Sequence, residues 1–216
     1  ANGAYYADDT GIMSIGWNAD KYGDISALDD LLDPKFAGTM ALNGKPAEAG
    51  AAFNGYLMAN QLAGGDINNL QPGLDFFKKL QKAGNLTTVD VTNGTIDSGQ
   101  TGVVFDWTYN QASYKKELKD KGVNWKYKTF PKTQVVSYYN QAINKDAPHP
   151  AAARLWEEYL YTADAQNLWF KGGANPVLLD SMKEDGTVDQ ATLKDAITIE
   201  GEPVSYTNDD STRITE

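Results

Sequence analysis

Short apolar runs alternate with longer segments of helical spacing along most of this chain, and that alternation limits the fold more than any other feature. "TMALNG" (Thr39 to Gly44) and "TGVVFDW" (Thr101 to Trp107) read as short buried strands. Between them, "KPAEAGAAFNGYLMANQLAG" predicts a helix from Pro46 or Ala47 to the Gly64-Gly65 stop. Its Phe53, Tyr56 and Leu57 share a face, with Asn60 and Gln61 continuing that stripe toward solvent. "LQPGLDFFKKLQKAG" predicts a second helix, apolar at Leu74, Phe77 and Leu80 and closed by Gly84. Strands and helices in this order define an α/β protein.

The flanks continue the pattern. "GIMSIGWN" (Gly11 to Asn18) has strand character, and "SALDDLLDPKFAG" reads as a short helix capped by Ser26 and ended by Pro34. A helix in "QASYKKELKDKG" stops at Gly122, "NWKYKTFP" is a strand running into Pro131, and "QVVSYYNQAIN" is another strand. Two helices follow His149, the second starting near Thr162 or Ala163 and ending at Gly172-Gly173. The tail beyond Asp180 is more polar, with one helical patch over 190–196.

The 216 residues suffice for a proper core, and 41% hydrophobic with 22% charged residues is ordinary globular composition. A net charge of −10 offers no basic surplus to displace phosphate counterions, so nucleic acid is not an expected partner. The absence of cysteine excludes disulfides, thiolate catalysis and Cys-based zinc sites. His149, the one histidine, sits between two prolines and reads as a surface or first-turn residue rather than a triad member. No apolar run approaches the ~20 residues of a bilayer span, and no basic start or apolar signal segment is present. The opening "ANGAYYADDTG" reads as the interior of a longer protein.

Three stretches in order carry a resemblance: "SIGWNADKYGDISALDDLLDPKFAGTMAL", "GQTGVVFDW" and "NQAINKDAPHPAAARLWEEYLYTADAQNLWFKGGANPV". Together they resemble the bacterial extracellular solute-binding proteins (family 1) of ABC importers, over about Tyr5 to Val177. The resemblance implies a type II periplasmic-binding-protein fold, α/β, with two lobes joined by two crossing strands. It places a first crossing segment over 1–18, a second α/β lobe over 19–127, a second crossing segment over 128–144, and a C-terminal helical part of the first lobe over 145–216. It implies a small-molecule ligand, an ABC permease as partner, no cofactor, and a periplasmic or extracellular location, free or lipid-anchored. The family's leading hundred or so residues have no counterpart here. A missing segment or a separate chain is therefore expected to supply the rest of the first lobe, and missing upstream residues, a tight partner or a dimer to cover Leu155, Trp156, Leu160, Leu168 and Trp169.

The ligand site is expected where parallel strands end. Asp106, Trp107 and Tyr109 stand at such an end. Trp107 offers a flat surface to a ligand and Asp106 can pair an amine, or else Trp107 is core and Asp106 caps the following helix. "NGKPAEAGAAF" opens onto a helix start whose free N–H groups favour an anion, with Lys45 adding charge and Ala47, Gly50 and Ala51 allowing close approach. "TNGTIDSG" (Thr92 to Gly99) is a weaker case of the same kind. Tyr138 and Tyr139 alternate on a crossing strand, and Tyr139 stands where polyamine binders of the family carry a carboxylate. Tyr5 and Tyr6 frame the first crossing. The acid pairs Asp8-Asp9, Asp29-Asp30 and Asp209-Asp210 lack metal-loop spacing and read as solvated. Two rival functions stay in view: a regulator's effector-binding domain, and a hydrolase using a carboxylate pair such as Asp97 and Asp106.

Overall fold

The structure, a computed structural model, describes residues 4–130 and 134–215. It divides into two compact units: residues up to Ile12 with Ser137–Ile199, and Met13–Val136 with residues from Glu200 on. The division falls inside strand β1 (Tyr6–Asn18), buried without interruption from Asp8 to Trp17.

The larger unit contains the second half of β1, helix α1 (Ala19–Tyr22) and two 3₁₀ turns, Leu28–Leu32 and Pro34–Phe36. Next come β2 (Met40–Leu42), α2 (Gly50–Leu62), α3 (Gln71–Ala83), α4 (Asn93–Asp97), β3 (Val103–Trp107), α5 (Thr108–Leu118) and β4 (Trp125–Lys128). The strands are ordered β2-β3-β1-β4. β2 and β3 run parallel, with Leu42 opposite Phe105, and β1 is antiparallel to both β3 and β4. Alternation along β3 sends Val103, Phe105 and Trp107 into one core with Met13, Phe53, Leu57, Phe76 and Leu80. Val104 points the other way, into a smaller cluster with Leu118 and Trp125.

Several local details depart from the sequence reading. The segment after Ser26 is 3₁₀ rather than α, and Asp30 rather than Ser26 caps it by accepting from the Ser26 and Ala27 amides (2.7 and 2.9 Å). Pro34 begins a further 3₁₀ turn. In α3 the buried side chains are Phe76 and Leu80, whereas Leu74 is exposed. Asn60 does not run out to solvent: it is fully buried, donating to the Asp66 and Asn69 carbonyls and accepting from the Gly73 amide. Its amide group satisfies three backbone groups of the α2–α3 connection, which offsets the cost of burying it.

The smaller unit pairs β5 (Val136–Gln141) with β1, and the Thr10 hydroxyl donates to the Ser137 carbonyl (2.8 Å). It continues through α6 (Pro150–Leu160), α7 (Ala163–Lys171), β6 (Asn175–Pro176), α8 (Leu179–Glu184) and α9 (Gln190–Asp195). Its core is small, formed by Phe170, Leu179, Met182 and Val188. Asp8 and Asp9 are buried here, 0% and 6% exposed, and not solvated as their sequence suggests. The Gln141 side chain donates to Asp8 (2.7 Å), while Gln166 bridges the Asp8 and Leu160 carbonyls. Leu155, Trp156 and Leu168 are more than 60% exposed, matching the expectation for them. Leu160 is buried and Trp169 half-buried, contrary to it.

The last segment, ending in α10 (Asn208–Thr215), packs with the larger unit and not with the 145–199 region to which the sequence reading joined it. Val204 donates to the Gln134 carbonyl (2.8 Å), and Val204, Tyr206 and Ile214 add apolar surface to the main core. Among the described residues no helix is long and apolar enough to cross a membrane. The Pro131 end of the predicted strand lies outside the described residues.

Candidate functional site

β2 and β3 end side by side, and the sequence-predicted residues of the larger unit gather at those ends. Asp106 is the last but one residue of β3 and has no exposed surface. Its Oδ1 accepts from the Trp107 amide (2.8 Å) and the Asn110 side chain (3.0 Å). Its Oδ2 accepts from the Asn43 side chain (2.8 Å) and the Tyr114 hydroxyl (2.9 Å). A carboxylate offers about four acceptor positions, so protein donors fill this one. Burial pushes the Asp106 carboxyl up, against the four hydrogen bonds that pull it down. Burial also pushes the Tyr114 hydroxyl up, helped by the adjacent carboxylate.

The alternative left open for Trp107 is decided by its packing. Its side chain is 6% exposed and belongs to the main core. Tyr109, the second residue of α5, stacks on it at 6.4 Å and is only half-buried, so the pair presents an aromatic surface through Tyr109.

The second predicted feature starts later than the sequence indicated. Lys45 to Ala49 form a turn in which the Lys45 carbonyl accepts from the Glu48 and Ala49 amides, and α2 begins at Gly50. Ala47 therefore lies on an exposed turn rather than in the helix. Gly44 has φ +99°, and a Cβ there would lie 2.5 Å from that of Ala49, so glycine is required. Ala49 gives no side-chain cap, which leaves the Gly50, Ala51 and Ala52 amides without an intrahelical partner. Gly50 is exposed, Ala51 half-buried, and a Cβ on Gly50 would meet nothing within 4 Å. Lys45 is exposed and pairs with Glu48 (3.0 Å). At α4 the same idea fails, because Thr92 and Thr95 bond each other's amides in a capping box that uses the free donors.

The remaining predicted residues belong to the smaller unit. Tyr138 and Tyr139 are 46% and 51% exposed, on opposite faces of β5, so alternation buries neither. Tyr5 and Tyr6 are equally exposed, and Tyr6 meets Tyr161 edge-on at 6.5 Å. The buried Asp9 was missed by the sequence reading. Its carboxyl is raised to about 7, by burial first and by neighbouring Asp8 second. Of the carboxylates in the hydrolase reading, Asp97 pairs with Lys121 (3.3 Å) and Asp106 has its acceptor positions filled by protein donors. A groove of about 510 Å³ between the Leu28 turn, the end of α2 and α3 contains none of the predicted residues.

Residues 1–196 match the family model of the bacterial extracellular solute-binding proteins. The chain belongs to that family. Solved structures place this solute-binding protein in the type II periplasmic-binding-protein fold. The sulfate-binding protein SubI from Mycobacterium tuberculosis shares 20% identity, covering 82% of this chain and 61% of its own, with a TM-score of 0.61. The binding protein AgtB from A. tumefaciens, in complex with agropinic acid, shares 19% over 89% and 58%, with a TM-score of 0.62. Iron-bound HitA from Pseudomonas aeruginosa shares 20% over 82% and 57%, with a TM-score of 0.58. The chain thus spans less than two thirds of the length of each of these solute-binding structures. A search of curated proteins gave no match.

Proposed function

We propose that this chain is the main ligand-holding part of an ABC-importer solute-binding protein, and that it takes a small polar solute through an anionic group and delivers it to a membrane permease. The observation that carries the anionic preference is the uncapped start of α2. At the ends of two parallel strands, the first three backbone donors of a 13-residue helix lack an intrahelical partner, and its first residue, Gly50, is exposed with open space around its Cα. Tyr109 adds an aromatic surface with a polar tip at the neighbouring strand end. Of the carboxylates beside them among the described residues, Asp106 is consumed internally and Glu48 is paired with Lys45. Relatives bind sulfate, agropinic acid and iron, so their ligands do not choose among classes and the site's own donors must. Within the smaller unit, taken by itself, Tyr6, Tyr138 and Tyr139 are proposed as ligand contacts.

The same reading includes a further segment or chain. Eight of the ten large apolar side chains found exposed among the described residues lie in the smaller unit, and only Leu160 of α6 is buried. Leu155, Trp156 and Leu168 want cover, and the solved relatives are longer than this chain.

Native mass spectrometry of the purified protein, followed by thermal shift with sulfate, phosphate, small carboxylates and spermidine, tests the proposal. Retention of an anionic adduct, or stabilisation by the anions alone, is expected. Stabilisation by spermidine with no response to any anion would overturn the anionic assignment. A companion chain in the native spectrum would identify the cover for α6.

A further inference from the structure

The carboxylate at the end of β3 is the best-connected polar group near the candidate site, and its connections do not suit a ligand contact. All its acceptor positions are filled and none of its surface is exposed. A ligand amine reaching it would have to displace Asn43 or Tyr114. We propose that Asp106 is a positioning residue: through Asn43 it sets the path of the turn that delivers the amide donors of α2. This deepens the anion-binding reading of the same site and rests on it for its functional meaning.

The geometry follows from the strand pairing. Asn43 is the first residue beyond β2, and its amide N–H already donates to the Phe105 carbonyl (3.3 Å). Its side chain then reaches Asp106 on the neighbouring strand (2.8 Å). Among the described residues, this is the one side-chain hydrogen bond tying the stretch from Asn43 to Ala49 to the rest of the chain. The Lys45–Glu48 pair stays within the stretch and is exposed. Asp106 is itself held from three sides. The Ser14 hydroxyl of β1 donates to its carbonyl (2.7 Å), its own strand exit donates through the Trp107 amide, and α5 donates through Asn110 and Tyr114. The turn therefore hangs from a point fixed to the sheet and to α5. Beyond that point it has only its internal bonds and the Gly44 bend until α2 begins. Charge-assisted bonds of this kind are the stronger sort, and truncation of the Asp106 side chain would leave four donors facing each other in a buried space.

Amide hydrogen exchange in the free protein tests the positioning without reference to any ligand. Asn43→Ala should raise exchange at the hydrogen-bonded Gly44, Glu48 and Ala49 amides by roughly tenfold or more while Val103 to Phe105 stay protected. Asp106→Asn keeps the shape, and a rotated Asn43 amide and Tyr114 hydroxyl can pair with it, so exchange should rise less than about threefold. Unchanged exchange at Gly44, Glu48 and Ala49 in Asn43→Ala would overturn the proposal. Sulfate and phosphate titrations of the same proteins read the consequence: Asn43→Ala should weaken anion binding at least about fivefold, with Asp106→Asn near wild type. Loss of anion binding in Asp106→Asn with wild-type exchange would also overturn it, by making Asp106 a direct contact. If neither anion binds the wild type, the anionic assignment fails while the exchange data still decide the positioning role.

Discussion

The Tyr206 hydroxyl donates to Asn54 Oδ1 at 2.8 Å, joining the tail to the second turn of α2, and the Tyr206 ring meets Phe53 edge-on at 5.4 Å. Asn54 is 2% exposed and its other side-chain atom donates back to the Gly50 carbonyl. The tail thus buttresses the helix whose start forms the candidate site. Tyr206→Phe should cost ~1 kcal/mol, because a buried acceptor loses its donor. Tyr206→Ala should cost more, by the lost ring contact. Urea unfolding midpoints for the two variants check the order.

Trp107→Ala tests whether this residue is core. Deleting so large a buried ring should destabilise the larger unit by ~3–5 kcal/mol, and any loss of ligand binding should track that unfolding. A folded, stable variant that simply fails to bind would show that Trp107 serves the ligand directly.

Gly16 lies near the end of β1, between two neighbouring strands, paired with Val104 and Tyr127. A Cβ there would sit 2.0 Å from Gln111 Oε1 and 2.8 Å from Trp125 Nε1, the two atoms that hydrogen-bond each other. Gly16→Ala should therefore break that bond and cost ~1–3 kcal/mol by overpacking. A thermal melt unchanged from wild type would mean the side chains yield freely.

Asp9 makes stability depend on pH. Its folded carboxyl titrates at about 7, above the ordinary 3.8, so the folded state binds more protons than the unfolded one between those values. Stability is then lost as pH rises from about 4 to about 7, by ~4 kcal/mol at most. Asp9→Asn should remove this dependence: more stable than wild type at pH 8, indistinguishable below pH 4. Denaturation at both pH values gives the comparison.

Elements with local signatures were legible in the sequence. The glycine stops at Gly84 and Gly122 adopt left-handed φ, as expected of helix ends. The strand "VVFDW" was found because a short apolar run that follows a glycine-rich turn and ends in polar residues has few other uses. What failed depended on partners far away in the chain. Asn60 and Asn43 look like ordinary polar residues until the backbone groups or carboxylate they serve are in view. Asp8 and Asp9 read as solvated because acid pairs usually are, and only the pairing of β1 with β5 and β6 buries them. Phe76 rather than Leu74 points inward because α3 is rotated by its packing on α2, through the close approach of Gly73 to Asn60. That rotation has no signal in a helical wheel, where both positions border the same stripe.

The parallel pairing of β2 with β3 has a kinetic cost. Met40 can meet Val103 only after everything between them has been gathered, whereas the Asn60 bonds close loops of a few residues each. We expect α2 and α3 to associate first, as a local hairpin, and the β2–β3 ladder to close late, with the chain-entropy loss of that long loop setting the folding rate. Substitutions at Asn60 should then slow folding, while those at Leu42 should chiefly speed unfolding.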